Sequence, residues 1–204
     1  MKKIIPHSGF TLLELMLTLL MAAVLVALAA PMMDSTIKTQ SIRSLQRDFH
    51  SALVYARSEA VTRNRVISVC SSSDGASCNA GVWSDGWIIF IDSSAAGFGN
   101  GVLDNGETLL RANVYEGSAI PSVIDPDADA AVSFVTFSLR GFTYNSNRVY
   151  VQICPSDAED SFARGLMLER SGRVVYSRDD DGDGVHDRIF QNDAGLAVST
   201  NLDC

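Results

Sequence analysis

An acidic, glycine-containing stretch near the carboxyl end of the chain has the residue types and spacing of a cation site. It reads RDDDGDGVHDR and begins at Arg178. In calcium loops of the EF-hand type, alternating carboxylates, a glycine at a sharp turn and a following backbone carbonyl converge on the ion. This pattern predicts a turn at Gly184. The predicted calcium ligands are the carboxylates of Asp179, Asp181 and Asp183, the carbonyl of Val185 and, directly or through water, the carboxylate of Asp187.

The calcium prediction has an open alternative, which is a solvated polar turn. Position twelve of the pattern is Phe190 in place of the bidentate glutamate, and no convincing helices flank the loop. The stretch is closer to the short aspartate-rich loops of extracellular calcium repeats, so the expected affinity is weak. A second oxygen-rich loop contains Asn100, Asp104, Asn105 and Glu107.

The carboxylate of Glu14 is chemically unusual because it lies inside a strongly apolar segment. Of the 24 residues from Phe10 to Met33, 20 are apolar, and a helix of that length would cross a bilayer core of ~30 Å. A carboxylate there costs roughly 2.5–3.5 kcal/mol and normally marks a functional group with a partner. The segment contains no Lys, Arg or His, so the cation must come from elsewhere.

Cleavage of the chain after Gly9 would supply that cation as the new amine of Phe10. The amine would lie four residues ahead of Glu14 in one helix, and in a bundle it could equally reach the Glu14 of a neighbour. Lys2 and Lys3 precede the apolar segment, which predicts a cytoplasmic amino end with the remaining chain across the membrane. A cleaved secretory signal is the alternative interpretation.

Beyond the apolar segment the sequence predicts a long amphipathic helix that ends near residue 66. Residues 32–66 contain no Gly or Pro, and apolar residues recur with the spacing of one buried stripe. The stripe comprises Ile42, Leu45, Phe49, Ala52, Leu53, Ala56 and Ala60. The opposite face carries several arginines, for which a solvated surface is favoured over a nucleic-acid stripe. Pro31 is expected to bend the helix.

The residues from 67 onward predict strands. Short runs rich in Val, Ile and aromatic residues, separated by Gly, Asn, Asp and Ser, cover 66–70, 87–91, 132–139, 148–153, 165–169 and 172–176. Residues 141–148 and 170–172 are predicted hairpin connections. The predicted fold is α+β, with a long helix packed on an antiparallel sheet. Its predicted divisions are a leader over 1–9, a membrane helix over 10–33, an amphipathic helix over 34–66 and a β-rich domain over 67–204.

The four cysteines all follow the apolar segment, and their even number suits disulfides in an oxidising compartment. Three pairings are open, of which Cys70–Cys78 with Cys154–Cys204 is favoured because the others cross larger parts of the sheet. Zinc is disfavoured because there is no CxxC and the three histidines are scattered. No nucleophile motif accompanies any histidine, so the chain is predicted not to be an enzyme and to require no cofactor.

The amino-terminal residues resemble the processing signal of type IV pilins and type II secretion pseudopilins. The matching residues are Gly9, Phe10, Thr11, Leu12, Glu14 and Pro31. Further matches over about residues 1–115, among them Arg57, Glu59, Gly86, Trp87 and Asp92, resemble the GspH/FimT group of minor pilins and pseudopilins. The resemblance implies cleavage between Gly9 and Phe10, methylation of the Phe10 amine, a kink at Pro31 and pairing of Glu14 with a neighbour's amino terminus.

The function that the resemblance implies is that of a minor type IV pilin that helps prime pilus assembly in a tip complex. The implied partners are the prepilin peptidase, other pilins or pseudopilins, the inner-membrane assembly platform and membrane lipid. The implied location is the bacterial inner membrane, crossed once with the carboxyl-terminal domain in the periplasm, and then the pilus tip or a pseudopilus. One alternative is a minor pseudopilin of a type II secretion system.

A further alternative is a DNA-binding minor pilin, because some members of the FimT branch bind DNA through a Gly-Arg-x-Arg motif. Here Val175 replaces the second arginine after Gly172 and Arg173. Arg173 and Arg178 remain the candidate DNA contacts, but the adjacent aspartates would repel phosphate. The net charge of −8, from 24 acidic and 16 basic side chains, also disfavours attraction of nucleic acid to the whole surface.

Overall fold

The computed structural model describes residues 9–79, 83–93, 99–126, 130–144, 148–191 and 197–204. The side chains of residues 29–32, 189–191 and 197–199 lie outside this description, as do residues 1–8 of the predicted leader. The chain divides into two units, Met1–Ile37 and Lys38–Cys204. Each unit is described by itself below.

The first unit contains the apolar part of helix α1, which as a whole covers Leu12–Arg63. Thr11 caps the start of the helix, since its Oγ1 accepts a hydrogen bond of 3.2 Å from the backbone N–H of Glu14. The large apolar side chains of this segment are exposed, Phe10 to the extent of 82%. No single described helix is long and apolar enough to cross a membrane, although the bent pair Leu12–Leu28 and Met33–Arg63 satisfies both criteria together.

The second unit joins the rest of α1 to antiparallel strands. In chain order these are β1 Ile67–Ser71, β2 Gly86–Ile91, β3 Thr108–Val114, β4 Ile120–Asp125, β5 Ala130–Ala131, β6 Phe134–Phe137, β7 Arg148–Cys154, β8 Arg164–Glu169, β9 Val174–Tyr176, β10 Asp187–Gln191 and β11 Ala197–Asn201. A short 3-10 helix, Asp160–Phe162, precedes β8.

These strands form two sheets and a separate hairpin. One sheet has the order β3-β2-β1-β6, the other has the order β5-β4-β7-β8-β9, and β10 pairs with β11. Every pairing between the described strands is antiparallel. The predicted α+β class is therefore confirmed, with the strands divided between two sheets where the sequence predicted one.

The core lies where the apolar stripe of α1 meets both sheets. All seven residues of the predicted stripe are buried there, together with Val69 and Ile89 of the four-stranded sheet and Val151 and Leu166 of the five-stranded sheet. Phe49 packs on Trp87, with ring centroids 4.1 Å apart. Because each fully buried side chain of this kind contributes roughly 1.5–3 kcal/mol, this stripe fixes the helix on the sheets.

Two predicted boundaries are wrong. Helix α1 ends at Arg63 and not near residue 66, because Asn64 adopts a φ of +54°, the left-handed conformation that ends helices. Residues 141–148 do not connect a hairpin, because β6 pairs with β1 while β7 pairs with β4 and β8. That segment, of which 145–147 lie outside the described residues, passes from one sheet to the other. The predicted hairpin connection at 170–172 is confirmed, since it joins β8 to β9.

The structure contains the two disulfides of the favoured pairing. Cys70 and Cys78 are joined with a Cα–Cα distance of 5.6 Å, and Cys154 and Cys204 with 5.7 Å. Cys70 lies in a small cluster with Ile88 and Phe90. Cys204 packs near Tyr150 and Leu202 in a different cluster. Each disulfide therefore tethers a covering segment to one of the two sheets.

Removal of the two disulfides is expected to have unequal effects on stability. The Cys154–Cys204 bond closes a loop of 50 residues and the Cys70–Cys78 bond a loop of 8, so the loop-entropy relation gives stabilisations of about 4 and about 2.5 kcal/mol. Paired cysteine-to-alanine variants of the full-length protein in detergent would be unfolded in urea to test this. Equal losses from the two pairs would contradict the prediction.

Candidate functional sites

The predicted processing and assembly residues lie at the amino end of α1. Gly9 and Phe10 precede the helix and are exposed, which is the condition under which a backbone is open to a peptidase. Glu14 is also exposed, and among the described residues no cationic group lies within ion-pair distance of its carboxylate. The side chain of Pro31 is outside the described set, so the kink at Pro31 stays a prediction.

The acidic loop brings three of the predicted calcium ligands together. Carboxylate oxygens of Asp179, Asp181 and Asp187 all lie within 4.8 Å of one another. The loop turns through Gly182 and Gly184, whose φ angles are +81° and +92°. The amides of these two glycines donate to the two carboxylate oxygens of Asp179 at 2.7 and 3.0 Å. The loop is thus shaped by its own carboxylates.

Two of the predicted ligands, Asp187 and Asp183, have different surroundings. Asp187 is 1% exposed, and its carboxylate accepts a 2.7 Å hydrogen bond from the Asp180 amide. Asp183 instead accepts hydrogen bonds from the Val185 amide at 2.8 Å and from Asn201 Nδ2 at 2.6 Å. These two donors hold the pKa of Asp183 below its usual value. Asp183 is therefore outside the three-carboxylate group.

The geometry of this loop meets some of the requirements of a site for a hard divalent cation. A carboxylate oxygen has more than one acceptor site, so the hydrogen bonds to Asp179 and Asp187 leave capacity for a metal. Among the described residues, no Lys, Arg or His nitrogen forms an ion pair with the buried carboxylate of Asp187. A cation held by Asp179, Asp181 and Asp187 would neutralise that buried charge.

The candidate DNA-contacting arginines, Arg173 and Arg178, have different surroundings. Arg173 forms an ion pair of 3.3 Å with Glu169. Arg178 is exposed and shares an isolated backbone bridge with Asp187, at the base of the acidic loop. The nearby Arg188 donates to Gln152 Oε1 at 2.8 Å and lies over the ring of Tyr150. The acidic loop thus adjoins Arg178.

The second oxygen-rich loop is organised from a buried carboxylate, Asp92, which is 2% exposed. Asp92 accepts hydrogen bonds from the hydroxyl of Ser68 and from the amides of Asn100 and Gly101, at 2.7–3.1 Å. The oxygens of Asn100 and Glu107 accept amides within the same loop or beside it. Asp92, which the sequence indicates only through the family resemblance, thus positions this loop.

Arg57 joins helix α1 to two turns of the sheets. Its Nε donates to the carbonyl of Gly141 at 3.2 Å, and its Nη2 donates to the carbonyl of Ser171 at 3.1 Å. Gly141 and Gly172 adopt φ angles of +78° and +77° at this point. A Cβ on Gly172 would lie 2.0 Å from the Gly141 carbonyl oxygen. The two turns and the guanidinium therefore form one tightly packed junction.

A long amino-terminal helix packed against antiparallel sheets defines a pilin-like class of protein. Within that class, the family model of the type II transport protein GspH matches residues 45–182. The chain belongs to the GspH family, whose members are minor components of the pilin and pseudopilin type. No curated protein sequence matches the chain.

Two solved structures to which the chain is similar are bacterial proteins. The type IV minor pilin FimU of Pseudomonas aeruginosa, in one crystal form, is 22% identical, with 67% of this chain and 88% of that chain covered and a TM-score of 0.49. The minor pseudopilin EpsH of the Vibrio cholerae type 2 secretion system is 9% identical, with 67% and 95% covered and a TM-score of 0.47.

Proposed function

We propose that this chain is a minor type IV pilin that is inserted in the inner membrane, helps prime filament assembly and occupies the pilus tip. The observation that carries the proposal is the exposed, apolar start of α1, in which Glu14 has no described cationic partner. Membership of the GspH family supports it. The proposed role of the chain is in filament assembly, and no catalytic role is proposed.

The mechanism begins with cleavage between Gly9 and Phe10 by a prepilin peptidase. The new amine of Phe10 is then methylated and stays positively charged. Subunits gather at an assembly platform and exchange lipid contacts for lateral helix contacts. Because a charge in apolar surroundings is stable only when paired, the carboxylate of Glu14 engages the amine of a neighbouring subunit and sets the axial register of the helices.

A minor pseudopilin of a type II secretion system would use the same steps, so the two functions differ in the filament that contains the chain. The test is to shear filaments from cells that produce the tagged full-length protein and to analyse the chain by mass spectrometry. We expect surface pili to contain a chain that begins at Phe10 and carries one additional methyl group. If the chain is found only in the cell envelope and normal secretion depends on it, the pseudopilin function is favoured. An unprocessed chain in filaments would contradict both functions.

We further propose that the acidic loop binds Ca²⁺ weakly through Asp179, Asp181 and Asp187. The supporting observation is the convergence of three carboxylates, one of them buried. The bound ion would hold the base of hairpin β10–β11, because Asp187 is the first residue of β10. DNA binding by Arg173 and Arg178 is not proposed, because Arg173 forms an ion pair with Glu169 and Arg178 lies beside the acidic loop.

Calcium is expected to raise the melting temperature of the full-length protein in detergent, because a ligand that binds only the native state stabilises it. Magnesium at equal concentration is expected to have a smaller effect, since it prefers stricter octahedral geometry. Asp187→Asn should abolish the calcium-dependent rise, whereas the matched Asp104→Asn in the other loop should preserve it. The proposal fails if wild-type protein melts at the same temperature with millimolar calcium and with a chelator.

A further inference from the structure

A basic cleft lies between α1 and the edge of the five-stranded sheet. Its volume is about 370 Å³, and its lining includes the guanidinium groups of Arg43 and Arg47 from α1 and of Arg164 from β8, and the imidazole of His186. Edge strand β9 contributes Tyr176, on which the ring of His50 stacks with a centroid distance of 4.8 Å. The four basic groups come from sequence positions up to 143 residues apart, for example 43 and 186, so only the fold brings them together.

The arginines of this cleft have no acidic partner within the described part of the chain. The ion pairs there involve Lys38, Arg63 and Arg173. The nearby Asp179 turns both of its carboxylate oxygens to the amides of its own loop. Burial lowers the pKa of Arg164, and the charge of Arg43 lowers it further. Like charges thus face one another across the cleft, and the attraction of the Asp179 carboxylate offsets only part of their effect on the pKa of Arg164.

The floor of the cleft is held in place by buried hydrogen bonds. Gln46 Nε2 donates to the Gly165 carbonyl at 2.8 Å, and the Gly165 amide donates to Ser177 Oγ at 2.8 Å. The Ser177 hydroxyl lies 2.9 Å from His186 Nδ1. Arg164 Nη1 donates to the carbonyls of Ser161 and Ala163. Arg164 and His186 are therefore held in place, and among the described residues none of the basic groups of the cleft forms an ion pair with an acidic side chain.

We propose that this cleft binds an acidic side chain of a neighbouring filament subunit, an inference that rests on the proposed function. Planar guanidinium groups favour bidentate hydrogen bonds to a carboxylate, and the cleft volume suits one side chain. A polyanion such as nucleic acid would be repelled by the net charge of −8 and by the adjacent exposed aspartates. Lateral packing along α1 would bring a neighbour to Arg43 and Arg47, which are exposed on that helix.

The test places a photoreactive benzoylphenylalanine at Tyr176 of the full-length protein in producing cells. We expect ultraviolet cross-links to another subunit, at a peptide that contains Asp or Glu. Arg43→Glu combined with Arg47→Glu should lower the cross-link yield at least tenfold. Both residues are exposed, so the variant is expected to fold. Arg65→Glu combined with Arg140→Glu makes the same charge change at exposed positions elsewhere and should leave the yield unchanged.

Replacement of the partner's acidic residue by arginine should restore cross-linking to the Arg43→Glu, Arg47→Glu variant. Undiminished cross-links in that variant would overturn the inference. It would also be overturned if no subunit is captured and the purified full-length chain binds inorganic phosphate through Arg43 and Arg47. The proposed function is tested separately, and it would be contradicted if the wild-type chain were absent from filaments.

Discussion

Replacement of Glu14 by valine is expected to abolish incorporation of the protein into filaments while its amount in the membrane stays the same or rises. Valine removes the cost of burying a carboxylate in lipid, so insertion becomes easier. It also removes the partner of the neighbouring Phe10 amine, which leaves that charge unpaired in apolar surroundings. Such a loss costs roughly 3–5 kcal/mol, which corresponds to a decrease in incorporation of about 100-fold or more.

The measurement compares the protein in sheared filaments with that in washed membranes by immunoblot. Glu14→Gln keeps the shape of the side chain and should reproduce the loss, since the charge is what pairs. Thr18→Val is the matched control one turn along α1, because Thr18 Oγ1 donates only to the Leu15 carbonyl of its own helix. Wild-type incorporation of the Glu14→Val protein would refute the assembly mechanism.

Replacement of Gly172 by alanine is expected to produce the largest loss of folding stability of any single change considered. The new Cβ would lie 2.0 Å from the Gly141 carbonyl oxygen and 2.8 Å from Arg57 Nε. That carbonyl belongs to the backbone and also accepts the Arg57 hydrogen bond, so relief of the clash breaks the junction. We expect a destabilisation of about 5 kcal/mol, which is exceptional for a single substitution.

Gly106→Ala is the matched control for this prediction. Gly106 also has a positive φ, of +94°, but a Cβ there would meet nothing within 4 Å. Its expected cost is therefore only the conformational one, roughly 1–2 kcal/mol. Urea unfolding of both full-length variants in detergent measures the difference. Similar losses from the two substitutions would show that the junction yields to a Cβ without cost.

The sequence was sufficient for the helix and for the strands buried in the core. The stripe from Ile42 to Ala60 has a clear helical period, and six of the strands carry dense Val, Ile and aromatic runs. Strand β3 escaped prediction because it is an edge strand with largely exposed side chains and no clean alternation. Strand β4 contains Pro121, which argues against a strand on sequence grounds.

The approach of the carboxylates of Asp179, Asp181 and Asp187 was predictable because these residues are close in sequence. The calcium set itself stays a prediction, and Asp183 differs from it in the hydrogen bonds it accepts. The junction at Arg57 and the basic cleft were not predictable in the same way. Both join residues more than 80 positions apart, such as Arg57 and Gly141, and only the packing of α1 on the two sheets brings them into contact.

Hairpin β10–β11 extends past residue 182, the last residue that the GspH family model matches. Leu202, just after β11, packs with Tyr150 of the five-stranded sheet, and the Cys154–Cys204 bond fastens the segment there. Part of this sheet is therefore covered by a segment that lies beyond the matched residues. The oxidation state of that one bond therefore bears on the surface that this side of the sheet presents.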